Sequence, residues 1–412
     1  MSKVQRGHSK SGGSAGGLPS FASAIGLACL AAMALVILIP SRMPGLVPAE
    51  DWSSDRRTAW LSPSLPRPHP RVAIVAITDD TLDAYKAAGT RSPLDRGMLA
   101  EIVRAIDHQG ACAMGLDVFV LRATTREKDE ALIAALADAR MAVVAGVADS
   151  RIEMRSDQRE YQAGFLARVG RSAGFLNLRT DDAADDAVRR HPRPAGDRLY
   201  PKPFAQSLAE VAVPALGARD AAIDDQRRIA WLNPPATDAS PFLTIPAHRV
   251  PNRLTTPRQT CDVTGPTIEG SLKNRIVLVG AHFPNIDQHQ TPLGRGRDTH
   301  GVDIHAQMTA EFIDAPARQI HEPGPLLMRV VLAALGALGF VAGWMLWRTP
   351  IVYSLGWGFG AALVVAAGLL SFYFFNMVLP FAACVLMWFL GITAGRYLHA
   401  AQSPRHARQA DL

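Results

Sequence analysis

The stretch Gly280–Ile313, GAHFPNIDQHQTPLGRGRDTHGVDIHAQMTAEFI, decides which fold the sequence predicts. The apolar run just before it, Arg275–Gly280, has the length and the branched composition of a buried strand. The second half of the stretch places Ile304, Met308 and Phe312 on one helical face. Between the strand and the helix lies a loop rich in histidine and aspartate, and α/β sheets bind their ligands beside loops of this kind. We therefore expect the functional site in this stretch.

The chain before this stretch predicts further units of the same kind. Apolar runs with two hydrophobic faces predict buried strands at Val72–Ile77, Cys112–Val120 and Met141–Gly146. Segments with a helical period separate these strands. Because such connections build parallel sheets with right-handed crossovers, we predict an α/β domain over residues 71–320, with a parallel-type sheet and flanking helices. Residues 233–270 hold many prolines and threonines and are predicted to be loop.

Four apolar stretches flank the predicted domain, and each has the length of a membrane-spanning helix: residues 21–40, 326–347, 351–375 and 378–395. For the first stretch, a cleaved signal peptide is the alternative interpretation. Its uncharged core is longer than that of a typical signal peptide, which favours an uncleaved anchor. Residues 41–70 contain many prolines and predict an irregular, extended connector between the anchor and the domain.

The basic residues near the spans predict the orientation of the chain in the membrane. The flexible tail at residues 1–20 carries three, the turn after the second span carries Arg348, and the short tail at residues 396–412 carries three. The turn at Asn376 carries none. Placing the basic segments in the cytoplasm gives one span, a large outside domain and three further spans. We therefore predict a multi-pass protein of the bacterial inner membrane whose domain faces the periplasm or the cell exterior.

Composition narrows the classes of partner. The chain has 43 basic and 37 acidic residues and no basic stripe interleaved with aromatic residues, so a nucleic-acid partner is not expected. Cys29 and Cys384 lie in the apolar spans, and no CxxC or Cys/His spacing indicates zinc. If the domain lies outside the cytosol, Cys112 and Cys261 could form a disulfide.

Three stretches together resemble the CHASE2 family of extracytoplasmic sensor domains. They are Ile74–Leu82 with Arg96 and Gly115–Val118 downstream, Ala173–Asn177 with an acidic turn and Val188 downstream, and Ile276–Ala306. The similarity covers roughly residues 50–320, and the arrangement of one span before and three after the domain is also similar. Two loops differ from the family pattern, Arg91–Asp95 and Asp181–Asp186.

The resemblance implies a signal-sensing protein that binds an extracytoplasmic ligand. Family members commonly carry a cytoplasmic kinase or cyclase after the last span, whereas about sixteen residues follow Arg396 here, too few to fold alone. The signal would then be passed to a separate cytoplasmic or membrane output protein, and a homodimer is compatible with this role. One alternative is a membrane scaffold that binds a periplasmic protein. The other is a metal-dependent hydrolase, although the sequence has no nucleophile motif, P-loop or dinucleotide fingerprint, so we do not expect an enzyme.

Polar residues near the ends of the predicted strands are the candidate ligand-binding residues: Asp79, Asp80, Arg96, Asp117, His282, Asp287, His289, Thr291 and His305. Because the carboxyl ends of parallel strands gather at one edge, these residues could converge. Carboxylates bind hard cations, so Asp79, Asp117 and Asp287 are the candidate ligands of a divalent cation.

Structural roles compete with these assignments. Aspartates before helices cap them, and Asp80 directly precedes one. Arg96 could bind an anion, or it could pair with Asp79. His305 lies within the last helix of the domain and could be packed there, whereas His289 lies in the loop and is the better candidate for a ligand-contacting or pH-sensitive role.

Overall fold

The computed structural model describes residues 21–38, 45–87, 91–180, 185–194, 199–217, 227–235, 240–252, 267–294, 298–314, 318–346 and 349–410, with side chains up to residue 402. The predicted tail at residues 1–20, Cys261 and the start of the acidic turn at Asp181 lie outside the described residues. The chain divides into two compact units. Val47–Pro323 and Gly368–Leu379 form the sheet unit, and Met1–Leu46, Gly324–Ala367 and Pro380–Leu412 form the helix unit.

The first half of the sheet unit contains, in chain order, α2 (Val47–Leu61), β1 (Val72–Ile77), α3 (Asp79–Ala84), α4 (Arg96–His108), β2 (Ala113–Asp117), α5 (Arg126–Asp138), β3 (Ala142–Val147) and α6 (Ser156–Val169). The second half contains β4 (Ser172–Phe175), β5 (Arg179–Thr180), β6 (Val188–Arg190), α7 (Phe204–Ala212), α8 (Pro214–Gly217), β7 (Leu243–Pro246), β8 (Ile276–Ala281), β9 (Gln288–His289), β10 (Thr299–His300) and α9 (Gly301–Asp314).

Six of these strands form one parallel sheet in the order β4-β3-β2-β8-β1-β7. The sheet is covered on both faces. Val75 of β1 and Val279 of β8 pack with α4, α5 and α6, whereas Ile74 and Leu278 on the same strands pack with α7 and α9. Both faces of each central strand are therefore buried, which explains the uninterrupted apolar runs. The predicted parallel sheet with flanking helices is confirmed.

Two regular elements lie where the sequence predicted irregular chain, and a third was not predicted. The connector at 41–70 contains α2, because its prolines fall at its two ends and residues 49–61 hold neither proline nor glycine. The stretch at 233–270, predicted to be loop, contains β7, a short edge strand that pairs with β1. Pro246, at the end of β7, is tolerated because an edge strand has one side without a partner strand, where no backbone N–H is needed. α6 was also missed, because only Gln162, Phe165 and Val169 of this helix are buried.

The helix unit contains α1 (Phe21–Leu38), α10 (Pro325–Met345), α12 (Phe381–Ala410) and the first part of α11 (Pro350–Phe375). Among the described residues, these are the four helices long and apolar enough to cross a membrane. Met33, Leu332 and Met387 from three of them share one buried cluster. At Gly339 of α10 the backbones approach so closely that an added Cβ would lie 2.7 Å from the carbonyl oxygen of Trp388. Such close packing is typical of membrane helices.

Candidate functional site

The carboxyl ends of the neighbouring strands β1, β8 and β2 form the edge where most candidate residues lie. Ile77 of β1 is level with Ala281 of β8, and Asp117 of β2 is level with Gly280. β8 lies between β1 and β2 although it is the last of the six sheet strands in the sequence, so the loop that begins at His282 leaves the middle of this edge. Ligands of α/β proteins bind at such an edge.

Two histidines and an aspartate meet just beyond β8. His282 Nε2 lies 3.0 Å from Asp303 Oδ2, and His300 Nδ1 lies 4.0 Å from the same oxygen. The rings of His282 and His300 are stacked, with their centroids 3.7 Å apart. His300 Nε2 lies 3.1 Å from the carbonyl oxygen of Phe283 and 3.2 Å from the side-chain amide nitrogen of Gln288. The carbonyl can only accept, so its contact requires the proton on Nε2, and the Gln288 amide fits the same tautomer when it presents Oε1. The lone pair of the neutral ring is then on Nδ1.

Each of these three residues comes from a different element. The backbone N–H of His282 donates to the carbonyl of Ile77 at 2.9 Å, which holds His282 at the end of the sheet. His300 lies on β10, which pairs with β9 to form a two-stranded ribbon, and Asp303 lies in the first turn of α9. Burial, and then the neighbouring His282, lower the pKa of His300, which favours its neutral form.

Asp117 and Asp287 lie close enough at this edge to interact electrostatically. Burial raises the pKa of Asp117 well above its ordinary value, and the negative charge of Asp287 adds to this shift. Asp287 has a positive φ of 51°, and its carbonyl accepts from the N–H of Gly301 at 2.9 Å. Gly301 matters here because a Cβ at this position would collide with the Asp287 carboxylate. The first residue of α9 and the carboxylate therefore fit only as a pair.

Three further candidate residues lie on the ribbon or in α9, and each has its own contacts. His289 lies on β9 and its Nε2 is 3.1 Å from Asp287 Oδ1. Thr291 forms a hydroxyl–hydroxyl hydrogen bond of 3.1 Å with Thr299 across the ribbon. His305 is buried one turn into α9, edge-to-face against Phe204. Its burial lowers its pKa to about 4, so it is neutral at physiological pH and is a packed histidine.

The candidate ligand-binding residues near the start of the domain, Asp79 and Asp80, do not join the group formed by His282, His300 and Asp303. The Asp79 carboxylate is bonded to Arg91 at 2.7 Å. Asp80 is exposed and does not cap α3, since the side chain of Thr78 accepts from the Thr81 N–H. The predicted cap at Asp80 is therefore wrong, because the helix begins at Asp79, two residues earlier than expected.

Arg96 is buried and pairs with Asp129, which is not among the candidate residues. It is 1% exposed, and its Nε lies 3.9 Å from Asp129 Oδ1 of α5. The proposed pairing of Arg96 with Asp79 is therefore wrong. Arg96 begins α4, which packs against α5, whereas Asp79 pairs with Arg91 in the loop before α4.

Among the described residues, the group of three possible metal ligands with atoms within 4.8 Å of one another is His282, His300 and Asp303. Asp79, Asp117 and Asp287, the trio proposed from the sequence, do not form such a group. His300 and Asp303 were not selected from the sequence. Their i,i+3 spacing at a helix start was visible there, but nothing local indicated that His282 stacks on His300.

The comparisons with known proteins bear on the sheet unit and the first spans. A family profile described as the CHASE2 domain matches residues 31–348. Comparison with curated proteins and with solved structures gave no match. Because the profile covers more than half of the 412 residues, and the parallel sheet and the four apolar helices agree with the expected architecture, the chain belongs to the CHASE2 family of extracytoplasmic sensor domains.

Proposed function

We propose that this protein is a membrane receptor that binds a ligand at the edge formed by β1, β8 and β2 and passes the signal to a separate output protein. The observation that supports this proposal is the gathering of His282, His300, Asp303, Asp117 and Asp287 at one end of a parallel sheet. Clusters of ionisable groups with shifted pKa values at such an edge are typical of binding sites.

Two features support a sheet unit that faces the periplasm or cell exterior. Seven basic residues lie in the tails and the turn that this orientation leaves in the cytoplasm, whereas Arg42 and Arg329 lie at the outer ends of the spans. Cys112 is disulfide-bonded, whereas Cys29 and Cys384 in the apolar helices are free thiols. Disulfides form and persist mainly in oxidising compartments, so a disulfide in the sheet unit favours an extracytoplasmic location.

α9 connects the candidate site, along the chain, with the segment that precedes α10. It begins at the site with Gly301 and ends at Asp314, shortly before α10. Along its length, the buried Gln307 pairs with both the N–H and the carbonyl of Leu232, at 2.9 and 3.0 Å. One turn later, Glu311 accepts from the N–H of Ala230 at 2.8 Å. A displacement of the start of α9 would therefore be carried along the helix and into the segment around Trp231 rather than absorbed locally.

Within the sheet unit, segments leading to several spans are bonded to one another. His321, just before α10, exchanges main-chain hydrogen bonds with Asn376 and Val378 in the turn between α11 and α12. Arg57 of α2 donates to the carbonyl of Leu379 in the same turn at 2.8 Å. These contacts join the segment before α10, the turn between α11 and α12, and α2. A displacement of one of these three segments would therefore be passed to the other two.

Ligand-induced stabilisation of the full-length protein in lipid nanodiscs tests the binding site. A compound that binds the folded state raises the unfolding temperature. Screening a panel of ions, organic acids and amino acids should give at least one stabilising compound. Its effect should be lost in Asp287→Ala and kept in Arg159→Ala, an exposed change on α6. A stabilising compound that acts equally on both variants would contradict this site.

Reporter fusions test the orientation. Alkaline phosphatase fused after Pro323 should be active, because it would fold in the periplasm, and a fluorescent protein fused after Leu412 should fluoresce in the cytoplasm. The reverse result would contradict the receptor proposal.

A further inference from the structure

We infer that His282, His300 and Asp303 bind a divalent transition-metal ion of the zinc class. This inference deepens the proposed function by naming the class of ligand. It rests on the proposed function only where it makes the metal a signal, because metal binding itself can be measured without knowing the output protein.

The donor atoms are close to the distances that one ion requires. Zinc binds imidazole nitrogen and carboxylate oxygen at about 2.0–2.2 Å, so two donors on a tetrahedral ion lie about 3.3 Å apart. His282 Nε2 and Asp303 Oδ2 are 3.0 Å apart, and His300 Nδ1 is 4.0 Å from the same oxygen. Small side-chain rotations would bring all three donors to one ion.

The hydrogen bonding of His300 leaves the correct nitrogen for a metal. Its Nε2 lies 3.1 Å from the Phe283 carbonyl and 3.2 Å from the side-chain amide nitrogen of Gln288. The carbonyl needs a proton on Nε2, and a half-turn of the Gln288 amide, which presents Oε1 instead, satisfies the same tautomer, so Nδ1 carries the lone pair on the side of Asp303. A ligating histidine whose second ring nitrogen donates to a backbone carbonyl is the usual arrangement around protein-bound metals, because this contact fixes both the tautomer and the ring orientation.

The charge around the three residues favours a cation. Asp303 supplies a carboxylate oxygen to the group, and Asp287 interacts electrostatically with both His300 and Asp117. The neighbouring Arg91 is already paired with Asp79. Two imidazoles and one carboxylate suit zinc, cobalt or nickel, whereas magnesium and calcium prefer oxygen ligands only. Three protein ligands leave a coordination position open, as in sites that exchange a ligand.

Loading this site must separate the stacked rings of His282 and His300. A metal lies close to the plane of each imidazole that binds it, so the centroids of two ligating rings lie about 4.5–5 Å apart. The rings of His282 and His300 are now stacked with their centroids 3.7 Å apart. The backbone of His282 is held by the main chain of β1, so we infer that the larger adjustment falls on His300, which directly precedes α9. Metal binding would thereby act at the N-terminus of α9.

Cobalt titration of the chelator-treated full-length protein, purified without a histidine tag, tests this inference. We expect one Co²⁺ per chain with the visible absorption of a tetrahedral site, displaced by Zn²⁺ and not by Mg²⁺ or Ca²⁺. His282→Ala and Asp303→Asn should each weaken binding at least about 10-fold. His108→Ala should have no effect, because His108 lies at the end of α4 and bonds to Asn252.

The unfolding temperature without metal shows whether each variant is folded. His300→Gln, which keeps a donor for the Phe283 carbonyl, replaces any alanine variant that does not fold. Absence of binding to the wild-type protein, or binding unchanged by the substitutions at His282 and Asp303, would overturn the inference. If the metal binds but no ion or compound of the panel stabilises the wild-type protein in an Asp287-dependent way, the receptor proposal fails and the metal site stands. If another compound is the stabilising ligand and metals do not bind, the metal site fails and the receptor proposal stands.

Discussion

Glu311 is a fully buried carboxylate of α9 with a partner for each oxygen. Oε1 accepts from Arg227 at 2.7 Å, and Oε2 accepts from the N–H of Ala230 and lies 2.8 Å from His191 Nε2. Burial alone would raise its pKa, but the charges and hydrogen bonds of His191 and Arg227 outweigh burial and lower the pKa to about 2. Glu311 is therefore ionised over the whole physiological range and holds α9 to the segment around Trp231.

The low pKa of Glu311 makes a prediction about acid stability. Its pKa in the folded protein lies below the value of 4.5 for an unperturbed glutamate, so its stabilisation is complete above about pH 5 and is lost as the pH falls towards 2. We expect Glu311→Gln to lower the free energy of unfolding at pH 7 by about 3 kcal/mol. This difference from the wild type should shrink below pH 4.5, because the carboxyl of the unfolded wild-type chain then binds a proton while that of the folded protein stays ionised down to about pH 2.

Unfolding of both proteins between pH 7 and pH 3, followed by tryptophan fluorescence, measures this difference. Glu153→Gln, at an exposed glutamate, is the control and should match the wild type throughout. A deficit of Glu311→Gln that stays constant over this pH range would mean that the charge of Glu311 does not contribute.

The helix α2 has the reverse of the pattern expected for a helix that faces water. Asp51, Ser54 and Arg57 are buried, whereas Trp52 and Trp60 are 62% and 64% exposed. A helix in water exposes its charges and buries its aromatic residues. Tryptophan favours the headgroup region of a bilayer, and α2 follows the first apolar helix after only eight residues, so the exposed tryptophans suit an interfacial position.

Spin labels test the position of α2. With Cys29 and Cys384 replaced by serine, labels at Trp52→Cys and Trp60→Cys in nanodiscs should be more accessible to oxygen, which concentrates in lipid, than to a water-soluble nickel chelate. A label at Arg159→Cys, exposed on α6, should show the opposite preference. Equal preference for the nickel chelate at all three positions would exclude an interfacial α2.

The number of cysteines that react with a thiol reagent depends on the compartment in which the sheet unit lies. The chain has four cysteines, of which Cys29 and Cys384 are free and Cys112 is disulfide-bonded. We expect a thiol-reactive polymer to label two cysteines in the denatured, unreduced protein and four after reduction. A cytosolic sheet unit would stay reduced and show four in both cases. Cys112→Ser should lower the unfolding temperature, because a disulfide restricts the unfolded chain.

Much of the fold was predictable because it depends on local pattern. Val72–Ile77 and the strand within Arg275–Gly280 are apolar on both faces, and the spans are long and uncharged, so hydrophobicity and length identify them in any context. α2 and β7 were missed because their polar or proline-containing sequences carry weak local signals. Their stability comes from neighbours far along the chain, such as β1 for β7.

The candidate site was predictable only in its location. The carboxyl ends of parallel strands share an edge, which was enough to place Asp117, His282 and Asp287 in the same region. It was not enough to separate Asp79, which is paired with Arg91, from the residues that meet. Arg96 was assigned a partner on the wrong element, because the packing of α4 on α5 cannot be inferred from the sequence of either helix.

By itself, the sequence determined an α/β domain with a parallel sheet, placed between one apolar helix and three more, because strand composition, helical period and span length are properties of consecutive residues. Only the tertiary structure decided that β8 lies between β1 and β2 and that His282 and His300 stack beside Asp303. Strand order and the closure of the loop after β8 set these distances, and both depend on contacts between residues that are remote in the chain.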